Sequence, residues 1–491
     1  MLDKTNLVSL LKDPSLLATK AYIGGEWIDA DDGTEFDVIN PARGDVVARV
    51  PNLGIAEAQR AIDAAAEVQA EWAARPAKDR SAIILEWYRL MIDNAQDLGM
   101  ILTAEMGKPI AEAIGEVNFG ASFLQWFGEE AKRIYGETVP GPQTDKRLFV
   151  IKQPVGVVAS ITPWNFPSAM IARKMAPALA VGCTFVGRPA RETPLSALAM
   201  AVLAERAGVP KGAFSIVTST HSREIGEEFC TNEKVRKITF TGSTEVGRIL
   251  LQQAGGQVKK VSMELGGNAP FIVFDDADVD AAVEGAMMSK YRNNGQTCVC
   301  ANRIYVQSGI YDEFAEKLAK AANRLKLGDG LDTKVDTGPL INQDAVDKVR
   351  SHVADATAKG GKILAGGKAH ELGGYWFEPT VISNVTQEML IAHDETFGPV
   401  APLIRFDSEN EVIALANDTI FGLAAYFYAK DTSRVWRVAE ALEFGIVAVN
   451  TGLFSTEAAP FGGVKQSGLG REGSHHGADD FLELKYICLS I

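Results

Sequence analysis

From about residue 148 to residue 450 the chain alternates short apolar stretches with helical runs, and that alternation leaves few architectures open. Strand candidates at 156–161, 183–187, 214–218 and 236–240 are separated by helical runs at 168–180, 194–207 and 244–254. A second series follows at 269–274, 303–307, 401–405, 424–428 and 445–449. Strands joined by helices of this length lie parallel and need cover on both faces, so an α/β fold with two such units is expected. The 491 residues also exceed what one hydrophobic core usually organises. Upstream, 55–132 reads as helical from its Ala, Glu and Leu content and three-to-four spacing of apolar residues. Thr193-Pro194 has the form of a helix start, a capping hydroxyl before Pro at the first helical position. The Gly-, Pro- and Thr-rich segment 134–152 has the character of a projecting hairpin. Residues 481–491 read as a strand that pairs with this hairpin or with another subunit.

Charge excludes several functions. A net charge of -14 with no Lys/Arg cluster argues against a nucleic-acid partner, whose phosphates are held by such clusters. No run of about 18 uninterrupted apolar residues offers a membrane span. The first twenty residues scatter Asp3, Lys4, Lys12 and Asp13 among leucines, which suits a short amphipathic helix rather than a signal or transit peptide. Five cysteines (Cys183, Cys230, Cys298, Cys300, Cys488) in so long a chain make no disulfide scaffold, so a reducing, cytoplasmic setting is expected. No Cys or His group has metal-ligand spacing, so no metal site is expected.

Four segments carry the residue types that chemistry needs. Asn293-Asn294-Gly295-Gln296-Thr297-Cys298-Val299-Cys300 puts a thiol in a polar, glycine-containing turn between a helical run and a strand. Cys298 is there either a reachable nucleophile or an inert buried thiol. None of the six histidines forms a Cys/His pair with it, which speaks against a papain-like site. In Met263-Glu264-Leu265-Gly266-Gly267-Asn268, Glu264 ends a strand before a Gly-Gly turn. Such a carboxylate is a general base if it faces a cleft and a solvated surface group if it does not. Phe240-Thr241-Gly242-Ser243-Thr244 is a strand, a glycine turn and a helix start, which presents backbone N–H groups to a phosphate but lacks G-x-G-x-x-G spacing. In Thr162-Pro163-Trp164-Asn165-Phe166-Pro167, Asn165 can point an amide into the same crevice.

Together these segments, with Glu395-Thr396-Phe397-Gly398-Pro399, resemble the aldehyde dehydrogenase superfamily in order and spacing, from about Tyr22 to the C-terminus. The resemblance implies an aldehyde dehydrogenase-like α/β fold: a Rossmann-type cofactor domain (1–132 and 153–260), an α/β catalytic domain (261–465) and a small β oligomerisation arm (133–152 and 466–491). It implies a homodimer or homotetramer. It makes Cys298 the nucleophile, Glu264 the general base, and Asn165 with the Cys298 N–H the oxyanion hole. Glu395 would hold the nicotinamide ribose, Phe397 would pack near the ring, Gly242 and Ser243 would contact the pyrophosphate, and Thr162 and Trp164 would line the cofactor crevice.

Within the superfamily the resemblance runs to succinate-semialdehyde dehydrogenases, through Met170-Ile171-Ala172-Arg173-Lys174, Tyr291-Arg292-Asn293, the Cys-Val-Cys pair and Gly452-Leu453-Phe454-Ser455. It implies that Arg173, Arg292 and Ser455 clamp the substrate's distal carboxylate, for which two guanidiniums and a hydroxyl are suited. Without the resemblance, Arg173 and Arg292 read as surface arginines on helices. Where the family commonly has Lys-Pro-(Ala/Ser)-Glu, this chain has Arg188-Pro189-Ala190-Arg191. Two cations and no repelling acid at the fourth position favour a 2′-phosphate, so NADP is the expected cofactor, with NAD the alternative. Cys298 and Cys300, treated as extended, have Cα atoms roughly 6.6 Å apart, so a slight bend would allow a reversible disulfide. The alternatives are a dehydrogenase for glutarate semialdehyde or an aliphatic aldehyde, a thiol hydrolase or acyltransferase without a redox step, and a non-catalytic descendant.

Overall fold

The computed structural model describes residues 6–491. Residues 1–5, including Asp3 and Lys4, lie outside the described residues. The leading segment beyond them is not the expected helix but two 3-10 turns, Leu7–Leu10 and Pro14–Leu16, the second started by Pro14 and capped by the Asp13 carboxylate.

The first large sheet has eight strands in the order Gly468–Leu469, Lys260–Glu264, Val235–Thr241, Val157–Ile161, Thr184–Arg188, Phe214–Ile216, Ala21–Ile23 and Glu26–Ile28. Its five middle strands are parallel, and the two ends are closed by antiparallel pairs. Every residue of Val157–Ile161 and Thr184–Arg188 is buried, as expected of strands covered on both faces. Alternate side chains feed two cores. Val158, Phe185 and Phe214 join Trp72, Trp87 and Leu124 on one face, whereas Val157, Ala159 and Val186 meet Ile62, Ile225 and Phe229 on the other.

The second sheet has seven strands in the order Lys362–Ala365, Thr380–Ser383, Val400–Phe406, Ala301–Gln307, Ala269–Val273, Ala424–Tyr428 and Ile446–Val449, all parallel except the first. The nine strands expected from the apolar runs are all present. Missed strands include Ala21–Ile23, one in from the end of the first sheet, and Lys362–Ala365, at the end of the second; at three and four residues they are too short to show a period.

The segment 55–132 resolves into four helices, Ile55–Ala74, Ala77–Asp93, Ala95–Met106 and Ile110–Glu130, broken at Pro76, Asn94 and Gly107-Lys108-Pro109. The expected Thr193 cap is not made. The helix Leu195–Arg206 instead has its first N–H groups, at Leu195 and Ser196, bound by the buried Glu105 carboxylate at 2.7 and 2.8 Å. A third sheet joins Glu137–Val139, Lys146–Pro154 and Leu482–Ser490, the last pairing antiparallel from Leu482↔Pro154 to Ser490↔Lys146. Residues 466–491 therefore divide, Gly468–Leu469 belonging to the eight-stranded sheet and only Leu482–Ser490 to the arm sheet.

Sheet topology positions the site. In the eight-stranded sheet the chain runs outward one way from Val157–Ile161 to Thr184–Arg188, then returns to place Val235–Thr241 on its other side. A crevice opens at such a reversal, beyond the carboxyl ends of the two strands. The segments 162–166 and 241–243 leave those ends. Lys260–Glu264 ends beside them and crosses through Gly266-Gly267 to the second sheet, where the cysteine loop precedes Ala301–Gln307.

Candidate active site

The cysteine loop is held in an unusual backbone. After the helix Val279–Tyr291, Asn293 and Asn294 take left-handed conformations (φ 51° and 55°) and Gly295 follows at φ 75°. Asn tolerates this region better than most residues, and a side chain at Gly295 would run into the Gly398 carbonyl. Gln296 then anchors the loop, its Nε2 donating to the Pro339 carbonyl at 3.2 Å and its Oε1 accepting from the Ile341 N–H at 2.9 Å. The Cys300 N–H returns to the Thr297 carbonyl at 2.9 Å. Cys298-Val299-Cys300 is therefore a turn, not the extended segment assumed above, and the Cys300 thiol is buried against the Lys290 carbonyl. Both are free thiols.

Two cavities meet at Cys298. One, of about 330 Å³, is lined by Phe166, Met170, Arg173, Arg292, Ser455 and Phe461 besides the cysteine. The other, of about 230 Å³, is lined by Trp164, Gly242, Ser243, Lys348, Glu395 and Phe397 besides the cysteine. Asn165 borders the second cavity and is buried; its Nδ2 donates to the Gln296 carbonyl at 3.1 Å. Burial, by stripping water from the charged form, pushes the Cys298 thiol up to about 12, the nearby Arg173 charge opposing this and Glu395 and Glu264 adding to it.

In the smaller cavity Trp164 and Phe397 meet edge to face at 5.5 Å. Phe397 is held at φ 53°, a strained backbone for a bulky residue. Glu395 Oε1 accepts the Gly267 N–H at 3.0 Å, and burial pushes its carboxyl up to about 7. Thr241-Gly242-Ser243 forms the mouth of the helix Thr244–Gly255, with Ser243 Oγ accepting the Val246 N–H at 3.3 Å. The buried Thr241 hydroxyl has no partner among the described residues.

In the larger cavity Arg173 is buried on the helix Pro167–Val181, so the surface reading of this residue is wrong. It forms an ion pair with Glu472 and lies over the Phe461 ring at 4.1 Å, while its Nη2 has no hydrogen-bond partner among the described residues. Arg292, half-buried, lines the same cavity 5.6 Å from the Phe166 ring, and Ser455, also in its lining, is exposed.

Glu264 is buried, and neither of its carboxylate oxygens has a partner among the described residues. Burial, then the charge of Glu472, push its carboxyl well above the usual range. Glu472 is equally buried, yet the charges of Arg173 and Lys174 outweigh that burial and hold it ionised. Burial and mutual repulsion thus split the two acids, Glu264 upward and Glu472 downward.

These features converge with sequence and structural likeness. The aldehyde dehydrogenase family model matches residues 27–487. The chain belongs to the aldehyde dehydrogenase family. It is 60% identical to a glutarate-semialdehyde dehydrogenase of Pseudomonas aeruginosa over 98% of this chain and 99% of that protein. It is 58% identical to the succinate-semialdehyde dehydrogenase [NADP(+)] of Escherichia coli, over 98% and 100%. A crystal structure of succinate-semialdehyde dehydrogenase from Burkholderia pseudomallei superposes with a TM-score of 0.97 at 59% identity, covering 98% of this chain and 100% of that one.

In this aldehyde dehydrogenase not every expected residue reaches the two cavities. Thr162 is buried behind the crevice, its N–H on the Arg188 carbonyl at 3.1 Å. Arg188 is buried too and donates to the Ser219 carbonyl at 2.9 Å and to Ser222 Oγ. Arg191 is exposed but pairs with Glu192 at 3.1 Å, at the edge of a separate cavity of about 340 Å³. The expectation of two free cations without an acid nearby is thus corrected: one is turned inward, and the next residue supplies the acid. Sequence reasoning missed Glu472, Lys348 and the aromatic walls Phe166 and Phe461, none of which carries a local signal. Among the described residues no helix is long and apolar enough to cross a membrane.

Proposed function

We propose that this protein oxidises succinate semialdehyde to succinate, with NADP as preferred cofactor and NAD as alternative. The observation that carries this reading is the position of Cys298 at the junction of the two cavities, one lined by two guanidiniums and one at the sheet's crossover crevice. The first suits an aldehyde whose far end is an anion. The second suits a dinucleotide: a helix mouth for phosphate, an unpartnered Thr241 hydroxyl and a buried acid for ribose hydroxyls. Gly242, Ser243, Glu395, Phe397 and Trp164 would hold it. The NADP(+) in the name of the Escherichia coli relative supports the cofactor preference.

Cys298 gives up its thiol proton to solvent water and Sγ adds to the carbonyl carbon, whose π pair moves onto oxygen; the resulting oxyanion is met by Asn165 Nδ2 and the Cys298 N–H. Removing one such donor typically costs roughly 10²–10³ in rate. When bound, the oxidised dinucleotide accepts the hydrogen and two electrons that turn the adduct into a thioester, and its positive charge favours the thiolate. Glu264, once deprotonated, takes a proton from the water that attacks the thioester carbon, and the acid leaves as Cys298 is restored. Arg173 Nη2, Arg292 and Ser455 fix the distal carboxylate throughout.

Glutarate semialdehyde, one methylene longer, is the second reading, favoured by the name of the Pseudomonas aeruginosa relative. Steady-state kcat/KM for succinate, glutarate and uncharged aldehydes, each with NADP and NAD, tests both at once. Succinate semialdehyde with NADP should lead. An uncharged aldehyde matching it would overturn the carboxylate clamp, and no absorbance change at 340 nm with any aldehyde would overturn the redox reading. The open antiparallel arm sheet supports assembly into a homodimer or homotetramer, and five free thiols support a cytoplasmic setting.

A further inference from the structure

Behind the oxyanion donor lies a buried ion pair that the chemistry above does not use. Lys108 sits at the Gly107-Lys108-Pro109 corner, and Glu116 lies in the second turn of the helix Ile110–Glu130. Their side chains are 0% and 1% exposed, with Nζ and Oε2 2.6 Å apart. Taking both charges out of water costs several kcal/mol per ion, so a pair kept at full burial calls for a reason beyond stability.

Its other contacts supply one. Lys108 Nζ also donates to the Asn165 carbonyl at 2.7 Å, and Asn293 Nδ2 donates to the same oxygen at 3.0 Å. Glu116 Oε1 accepts the Ser168 and Ala169 N–H groups at 2.9 and 3.2 Å, at the first turn of the helix Pro167–Val181. The Lys108 ammonium further lies 3.9 Å from the Phe166 ring. The pair therefore grips the main chain on both sides of Phe166: the carbonyl of Asn165 before it, and the helix start after it. Asn165 carries the proposed oxyanion amide, and the gripped helix carries Arg173.

We infer that Lys108 and Glu116 are positioning residues for the reaction, holding the Asn165 peptide so that its amide meets the oxyanion formed at Cys298. The inference rests on the proposed role of Asn165. A side-chain donor has value in catalysis only if its direction is fixed before the charge develops, and a displacement of about 1 Å costs on the order of 10²-fold in rate. The direction of an Asn amide follows its own backbone. Here that backbone is clamped from a helix more than forty residues upstream.

The test uses the full-length enzyme and the double variant Lys108→Met/Glu116→Gln, which leaves no unpaired charge and keeps an acceptor for Ser168 and Ala169. Succinate semialdehyde with NADP should show kcat lowered about 10–100-fold, with KM for NADP within about twofold of wild type, a split that general loosening would not give. Placed on Asn165→Ala, the double variant should lower kcat little further, because the donor it orients is already gone. Lys108→Arg keeps the charge pair but moves the donor off the Asn165 carbonyl, and should lower kcat by about 3–10-fold with an unchanged melting temperature. A folded double variant with wild-type kcat would overturn the inference, as would a loss that adds fully to that of Asn165→Ala. Should the double variant not fold, Lys108→Arg decides, and unchanged kcat there overturns it. Unchanged kcat in Asn165→Ala alone would instead reject the role assigned to Asn165.

Discussion

The two cavities that share Cys298 are built by different means. The larger is walled by side chains on helices and loops: Phe166 and Met170, Arg173 and Arg292, Ser455 and Phe461. Its chemistry is a buried positive charge answered in part by Glu472. The smaller is made of strand ends and turns, where glycines, a helix mouth and one strained Phe397 shape the wall. A wall of side chains can be retuned one residue at a time, which on the proposed reading suits the choice of aldehyde. A wall of backbone has little freedom, so it suits the part of the reaction that does not vary.

That contrast gives five expectations, the largest first. Cys298→Ala removes the group common to both cavities and should abolish turnover at 340 nm, while NADP binding, read by quenching of tryptophan fluorescence, persists. Loss of both would mean the cysteine is structural. Glu264→Gln should keep a stoichiometric burst of NADPH but lower steady-state turnover by about 10²–10⁴-fold. Because burial and the charge of Glu472 push the Glu264 carboxyl well above its usual range, wild-type deacylation should quicken as pH rises, and the variant should lose that slope.

Arg292→Ala acts on the side-chain wall alone. KM for succinate semialdehyde should rise about 10–100-fold, the loss of a charge-assisted contact of about 1.5–3 kcal/mol, with propanal scarcely affected. Equal effects on both aldehydes would erase the distinction between the cavities. Glu395 tests the opposite wall. Its carboxyl titrates at about 7, so if the ionised form holds ribose, the Kd for NADP should fall as pH rises through 7, and Glu395→Gln should be flat. The smallest effect is expected at the exposed Arg191–Glu192 pair. Arg191→Ala should narrow the NADP-over-NAD preference by about fivefold, in line with a contact of about 1 kcal/mol at a solvated site.

The sequence made the sheets legible where burial on both faces left an uninterrupted apolar run, as at Val157–Ile161. It failed at edges such as Lys362–Ala365 and at the cap, not the span, of the helix starting at Leu195, whose capping acid Glu105 lies on another helix. For the candidate site, the segments holding Asn165, Glu264 and Cys298 were each ambiguous alone and became readable only through their joint resemblance to the family in order and spacing. Glu472 was not, since only folding brings it against Arg173 and Lys174, about three hundred residues away in the chain. The Cys298-Val299-Cys300 geometry was misjudged as extended because the bond from the Cys300 N–H to the Thr297 carbonyl leaves no mark in the residue types.

By itself, then, the chain's order of residues determined the family, through the order and spacing of its motifs, and the two sheets, through local period; the roles proposed for Cys298, Glu264 and Asn165 came with the family resemblance. Only the tertiary structure decided which charges are free. It buried Arg188, paired Arg191 with Glu192, turned Arg173 into a cavity and pushed the Glu264 carboxyl up and the Glu472 carboxyl down. The reason is that a charge's state depends on what surrounds it in space, and those neighbours come from all over the chain.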